Sequence, residues 1–142
     1  MAEGDGQEVG WLDDFVEVIR QLHDSIIRES GGVLGERTAL LYSAAARPFQ
    51  SAFGEFVFDT PQSKAAALFQ AIIRDHPFGD GNKRTASVVT MSFLTAFAGY
   101  PSLEQPPSPL QVRLLGEVAL ETASAKLSVE QIAHWIDRIF AP

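Results

Sequence analysis

The segment His76-Pro-Phe-Gly-Asp-Gly-Asn-Lys-Arg84 leads directly into a long apolar run. Gly79 and Gly81 flank an aspartate and disfavour a continuous helix, so the chain must turn there. A helix then begins around Asn82 and runs to Ala98, and its apolar side chains on more than one face are typical of a central, buried helix. The sequence therefore predicts a glycine-containing loop that feeds the N-terminus of a buried helix.

Further helices are indicated on both sides of this loop. Apolar residues recur every three or four positions from Trp11 to about Glu29, which is the spacing of one buried helical stripe. Thr60-Pro61 combines a good N-cap with a proline at the first helical position, and Ser108 and Ser128 each precede a glutamine by three residues, as in a capping box. The predicted helices are 11–29, 36–46, 61–75, 82–98, one after 108 and one after 128.

The segment from Phe49 to Asp59 has a different pattern. Its aromatic residues are interrupted by Gly54, and Phe56-Val57-Phe58 reads as extended, so a loop or a short hairpin is expected. No internal repeat or parallel-sheet pattern is present. The predicted fold class is therefore all-α, a compact bundle of about six helices with one small flap hairpin or loop.

Composition and length favour one folded domain. The chain has 142 residues, 46% of them hydrophobic and 20% charged, values that are typical of a globular protein with a single core. Residues 1–10 are polar and glycine-rich, and we expect a flexible leader there, followed by a single domain over 11–142. The absence of cysteine excludes disulfides, thiolate zinc sites and cysteine nucleophiles.

The net charge and the hydropathy of the chain indicate which classes of binding partner to expect. Eighteen acidic residues against 11 basic ones give a net charge of −7, which disfavours a direct nucleic-acid partner. Neither a secretory leader nor an apolar run of membrane-spanning length is visible, so no membrane partner is expected and a cytoplasmic location is the default expectation.

The loop-to-helix stretch has its own chemistry. A helix N-terminus offers free N–H groups and the positive end of the helix dipole, and Lys83 and Arg84 add cations beside it, so the pattern favours an anion such as phosphate. Asp80 beside phosphate indicates a bridging Mg²⁺, and His76 is a candidate base near neutral pH. Each residue alone also has a structural explanation, as a helix cap, a turn residue or a solvated first turn. Together they favour a site for Mg²⁺ and a nucleotide.

This stretch resembles the signature of the Fic family, His-x-Phe-x-Asp/Glu-Gly-Asn-Gly-Arg-x-x-Arg. Lys83 stands in place of the second glycine and Ser87 in place of the last arginine. With the following Thr85-Ala86, these changes are similar to the death-on-curing (Doc) branch of that family. The similarity extends to Arg47-Pro48 and to the closing stretch 127–135, so it covers nearly everything after the leader.

The resemblance implies the helical Fido fold and transfer of a group from ATP or another nucleoside triphosphate, with Mg²⁺, to a protein hydroxyl. It implies that His76 is the catalytic base, Asp80 the metal ligand and Phe78 the motif anchor. The nucleotide and phosphate binders would be Gly79, Gly81, Asn82, Lys83 and Arg84. The target-docking flap would include Phe53, Gly54, Glu55 and Phe56.

The resemblance also implies a toxin of a toxin–antitoxin system, restrained by a cognate antitoxin, that arrests translation by phosphorylating a translation factor, with elongation factor Tu as the expected target. A long cation at Lys83 cannot sit where a glycine leaves the backbone open to phosphate, which favours phosphoryl transfer over AMP transfer. An adenylyltransferase and a non-catalytic Fido binding module are the alternatives. His23 and His134 lack ligand-like neighbours and are interpreted as structural or surface residues.

Overall fold

A computed structural model describes residues 2–99, 108–124 and 126–140. Over these residues the chain forms six α-helices and one two-stranded antiparallel hairpin. The helices are α1 Ala2–Ser30, α2 Thr38–Ala46, α3 Pro61–Asp75, α4 Asn82–Ala98, α5 Pro109–Ala123 and α6 Val129–Phe140. The strands are β1 Ser51–Ala52 and β2 Glu55–Phe56, and a 3₁₀ turn at Arg47–Phe49 precedes them. The all-α prediction is confirmed.

The centre of the core is α3. Every residue from Ala65 to Ile73 is buried, and the helix packs against α2, α4, α5 and α6. Its alanines are small enough for neighbouring helices to approach from all sides. In α4, by contrast, Lys83 and Phe97 are exposed. The predicted burial of α4 on more than one face is present, since it packs against α1, α3 and α5, while α3 has the longer continuous buried stretch.

Local capping signals fix where three helices begin. The Thr60 hydroxyl accepts a hydrogen bond from the Ser63 N–H at 3.0 Å, and the Ser63 hydroxyl in turn accepts one from the Thr60 N–H at 3.1 Å. The glutamine three residues after Ser108, and likewise after Ser128, accepts a hydrogen bond from the serine N–H at 2.8 Å. These capping boxes confirm the predicted starts of α3, α5 and α6.

The predicted hairpin is present as the flap hairpin, residues 51–56. Ser51 pairs with Phe56, and the two turn residues, Phe53 and Gly54, have φ of 54° and 81°. A turn with positive φ at both central positions matches the right-handed twist of the strands. Glycine adopts such a φ without strain, which accounts for Gly54 in the turn. The Phe53 side chain is fully exposed at the tip, and the Lys64 ammonium lies 4.1 Å from the centre of the Phe56 ring. The hairpin is thus fastened to α3 at its base while its tip faces solvent.

The first helix is longer than predicted, since it begins at Ala2 rather than near Trp11. The mobility of residues 1–10 and the single-domain organisation of 11–142 stay predictions. In the part of the chain that the structure describes, no helix combines the length and the apolar character needed to span a membrane. What positions the site is the arrangement of α1, α3 and α4, which meet at residues 76–81.

Candidate active site

The site loop, residues 76–81, joins α3 to α4 and has a left-handed residue at each end. His76 caps α3 with φ 50° and ψ 61°, and its N–H donates to the Ile72 carbonyl at 3.3 Å. Gly81 begins α4 with φ 77°. Between them Phe78 is only 3% exposed and belongs to the hydrophobic core. The loop therefore turns sharply around one buried aromatic side chain, which leaves His76 exposed at the surface.

The Asn82 carboxamide braces this loop from inside. Its Oδ1 accepts from the Phe78 N–H at 3.0 Å, and its Nδ2 donates to the Phe78 carbonyl at 2.9 Å. The same Nδ2 lies 3.4 Å from Nδ1 of His76. Because the buried carboxamide is occupied by the loop, a direct phosphate contact by Asn82 stays a prediction.

A second support is the strap, residues 31–37, which connects α1 to α2. The Arg37 N–H donates to the Pro77 carbonyl at 2.7 Å, and the Gly79 N–H donates to the Gly35 carbonyl at 3.0 Å. These bonds form an isolated antiparallel bridge between the strap and the site loop. The Arg37 guanidinium also donates to the His76 carbonyl. The left-handed His76 is thereby held from outside its own helix.

The strap is anchored to α1 by an ion pair. Nε of Arg20 donates to Oε1 of Glu36 at 2.7 Å and Nη2 donates to Oε2 at 2.8 Å, the two-pronged geometry that suits a guanidinium and a carboxylate. The hydrogen bond from Arg20 holds the pKa of Glu36 below its ordinary value. A Thr38 hydroxyl bond to Oε2 at 2.8 Å lowers it further.

We expect Glu36→Gln to lower the free energy of unfolding at pH 7 by about 0.5–1 kcal/mol, since the pair is partly solvated. Because the folded-state pKa of Glu36 is depressed, its contribution is present above the ordinary carboxyl pKa of about 4.3 and is lost as pH falls through the folded-state value. Urea unfolding from pH 7 downward should show the two proteins converging. Glu17→Gln is the control, because Glu17 only approaches Arg20 at 3.6 Å; an equal effect there would contradict the assignment.

The first turn of α4 is open to an anion. Gly81 has no side chain to cap it, so the N–H groups of Asn82, Lys83 and Arg84 have no capping side chain, and the side chains of Lys83 and Arg84 are exposed. The N–H groups of Gly79 and Gly81 are already bonded, to Gly35 and to the Asp80 carboxylate at 2.8 Å. Free donors for phosphate therefore come from the helix turn, and phosphate contacts by the two glycines stay predictions.

The structure brings most of the predicted residues together around one depression of about 300 Å³. Its lining consists of His76, Gly79, Asp80, Gly81, Asn82, Lys83 and Arg84. Phe78 lies beneath it in the core. The flap residues 53–56 are not part of this lining among the described residues.

Asp80 is the candidate metal residue. Its Oδ1 accepts from the Gly81 N–H, and no cluster of three acidic or histidine side chains suited to a metal exists within residues 2–99, 108–124 and 126–140. Mg²⁺ fits, because it is commonly bound by one or two carboxylates together with substrate phosphates and water.

His23, interpreted from the sequence as a structural or surface residue, is a buried residue of α1 that lies under the site loop. The side chain is 1% exposed, and its Nε2 lies 2.7 Å from the Asp80 carbonyl oxygen. Its ring stacks on Phe78 with 3.8 Å between centroids and 6° between planes. The two contacting segments are more than fifty positions apart, so nothing in the local sequence around His23 could signal them.

We expect Gly81→Ala to lower the free energy of unfolding by about 2–3 kcal/mol, combining left-handed strain with crowding. An added Cβ at Gly81 would lie 3.1 Å from Cδ1 of Ile27. Gly99→Ala is the matched control, because Gly99 has a similar φ of 70° but open space around it, and should cost only about 1–2 kcal/mol. Denaturant unfolding measures both, and equal losses would contradict the packing role.

An apolar groove of about 410 Å³ borders the same two cations. Between α1, α4 and α5 it is lined by Ile26, Glu29, Ser30, Lys83, Arg84, Ser87, Val88, Met91, Val112, Leu115, Gly116 and Ala119. Lys83 and Arg84 therefore line both the depression and this groove.

Comparison with known proteins defines the class to which this loop and fold belong. A family model described as the Fic/DOC family matches residues 11–94, which is more than half of the chain. This protein belongs to the Fic/DOC family.

A curated relative, Toxin Doc of Mycolicibacterium smegmatis, is 43% identical over 65 residues. The aligned part is 45% of this chain and 50% of that protein, so the match spans half the length of the relative.

Proposed function

We propose that this protein is a Doc-like toxin that transfers a phosphoryl group from ATP, or another nucleoside triphosphate, to a hydroxyl of a target protein. One observation carries the proposal: a histidine, a carboxylate and two cations surround an uncapped helix N-terminus in a single depression. Positioning and charge stabilisation are the main demands of phosphoryl transfer, and this arrangement supplies both. The similarity to a protein named Toxin Doc supports the biological role.

The roles of the residues follow from their positions. The first-turn N–H groups of α4 and the side chains of Lys83 and Arg84 bind the phosphates, and Asp80 holds Mg²⁺ beside them. The ion, when bound, neutralises negative charge on the phosphate oxygens. His76 is exposed at the edge of the depression and accepts the proton of the attacking hydroxyl. Asn82 and Arg37 keep that histidine in its left-handed position.

Lys83 and Ser87 favour phosphoryl transfer over AMP transfer. Lys83 places a flexible cation on the first turn of α4, where a glycine would leave the backbone open. Residue 87 is a neutral serine, so this position offers no second arginine charge to the triphosphate. Its hydroxyl donates to the Lys83 carbonyl at 2.9 Å instead. With these two residues, the charge that binds phosphate is concentrated at the helix start.

The target and partners complete the proposal. The flap hairpin exposes an extended edge and the Phe53 ring, which suits alignment of an extended target segment by strand pairing. We take the target to be a translation factor, with elongation factor Tu as the first candidate, and the natural restraint to be a cognate antitoxin in the cytoplasm. Neither a membrane nor a nucleic acid has a place in this proposal.

Labelled nucleotide tests the reaction. The purified protein is incubated with a bacterial lysate and ATP labelled at either the γ or the α phosphorus. Label that enters a protein from the γ position alone supports phosphoryl transfer. Label from the α position would establish the adenylyltransferase alternative, and no label from either would favour a non-catalytic binding module.

A further inference from the structure

His23 is a buried polar side chain beneath the site loop, 1% exposed, and none of the roles above uses it. It contacts two residues of the site loop at once, through a ring stack on Phe78 and a 2.7 Å hydrogen bond to the Asp80 carbonyl. A carbonyl oxygen has only lone pairs, so Nε2 of His23 must carry the proton and donate it. The other ring nitrogen lies 3.3 Å from Oδ1 of Asp24.

Gly32 of the strap lies beside the carboxylate of the same aspartate. A Cβ added to Gly32 would lie 2.6 Å from Oδ2 of Asp80, a distance that side chains do not tolerate. The other carboxylate oxygen is fixed by the Gly81 N–H. The Asp80 side chain thus lies in a gap that exists only because residue 32 has no side chain, while His23 fixes its main chain.

We propose that His23 is a positioning residue of the nucleotide site: with Gly32 leaving the necessary space, it sets where the Asp80 carboxylate stands. The inference rests on the proposed function, because it takes Asp80 as the residue that holds Mg²⁺. His23 does not touch the reacting atoms; it acts through its hydrogen bond to the main chain of Asp80. Groups that orient a metal ligand commonly change metal affinity or activity by about 10- to 100-fold when removed.

Two substitutions separate the hydrogen bond from the stack. His23→Phe keeps a ring of similar size over Phe78 but removes the donor to Asp80. His23→Gln removes the ring but restores an amide N–H at a similar reach. His134→Phe is the control, because that histidine is exposed on α6.

The first readout needs no nucleotide. Hydrogen exchange of the peptide covering residues 76–84 should be faster in His23→Phe than in the wild type, and near wild type in His23→Gln and His134→Phe. The second readout is the Mg²⁺ concentration needed for half-maximal ATP binding, measured by calorimetry. It should rise about 10- to 100-fold in His23→Phe and return to within about threefold in His23→Gln.

A folded His23→Phe that matches the wild type in both readouts would overturn the inference, as would a folded His23→Gln that is as impaired as His23→Phe. If His23→Phe does not fold, the glycine pair decides. Gly32→Ala should raise the Mg²⁺ requirement about tenfold or more, whereas Gly31→Ala, which also has positive φ but open space, should change it little. Equal behaviour of the two alanine variants would overturn the inference.

The same experiments distinguish this inference from the proposed function. A wild type that neither binds ATP nor transfers label would refute the proposed function. Hydrogen exchange would still report whether His23 holds the site loop, since that measurement involves no ligand. Conversely, normal labelling together with unchanged exchange in His23→Phe would refute the inference alone.

Discussion

Replacing His76 with alanine should lower the rate of transfer to the target protein by about 10²- to 10⁴-fold, the usual contribution of a general base. The fold should survive, because His76 is an exposed residue at the end of α3 and contributes no side chain to the core. Nucleotide affinity should also change little, since the phosphate donors belong to α4. Initial rates with labelled ATP, together with calorimetric binding of ATP, measure the two effects separately.

The matched control for this variant is His134→Ala, which removes an exposed histidine from α6 and should leave transfer unchanged. In cells, the His76→Ala protein should no longer inhibit growth when expressed without an antitoxin. Full toxicity or undiminished transfer in the alanine variant would refute His76 as the base.

Replacing Asp80 with asparagine should lower transfer on the order of 100-fold or more, in line with the loss of a preorganised charge at a reacting phosphate. The amide keeps the shape of the side chain and an oxygen that accepts the Gly81 N–H, so the loop should retain its conformation. Only the charge is removed. The rate should also lose most of its dependence on Mg²⁺ concentration, which a titration of initial rates measures.

Asp75→Asn is the control for the charge change. Asp75 is the exposed last residue of α3, one position before the site loop, and it does not line the depression. We expect its variant to transfer at the wild-type rate with normal Mg²⁺ dependence. An Asp80→Asn enzyme with the wild-type Mg²⁺ response would refute the metal assignment.

Much of the fold could be predicted because its signals are local. Thr60-Pro61 and Ser128 mark helix starts through bonds within four residues, and the structure contains those bonds. The apolar residues of α4 do lie in the core, but the helix with the longest continuous buried stretch is α3, which the sequence did not single out. The burial of α3 depends on which helices pack against its alanine-rich surface, and those contacts involve residues far apart in the sequence.

In the site, too, local features could be predicted and features that depend on distant residues could not. The residues that line the depression are contiguous in sequence, so a motif alone could assemble them. The residues that support the loop are distant in sequence, since His23 contacts it from α1 and Arg37 contacts it from the strap. The hydrogen bonds inside the loop were equally unpredictable, because a sequence does not show that the Asn82 carboxamide bonds to the main chain of Phe78.

We propose that the open turn of α4, with Lys83 and Arg84, directs phosphoryl transfer to a protein hydroxyl. The most direct test is the intact mass of the target protein, isolated after incubation with this protein, ATP and Mg²⁺. We expect a mass increase of one phosphoryl group, absent when His76→Ala replaces the wild type. An increase of one AMP, or no increase in a target whose labelling has been established, would contradict it.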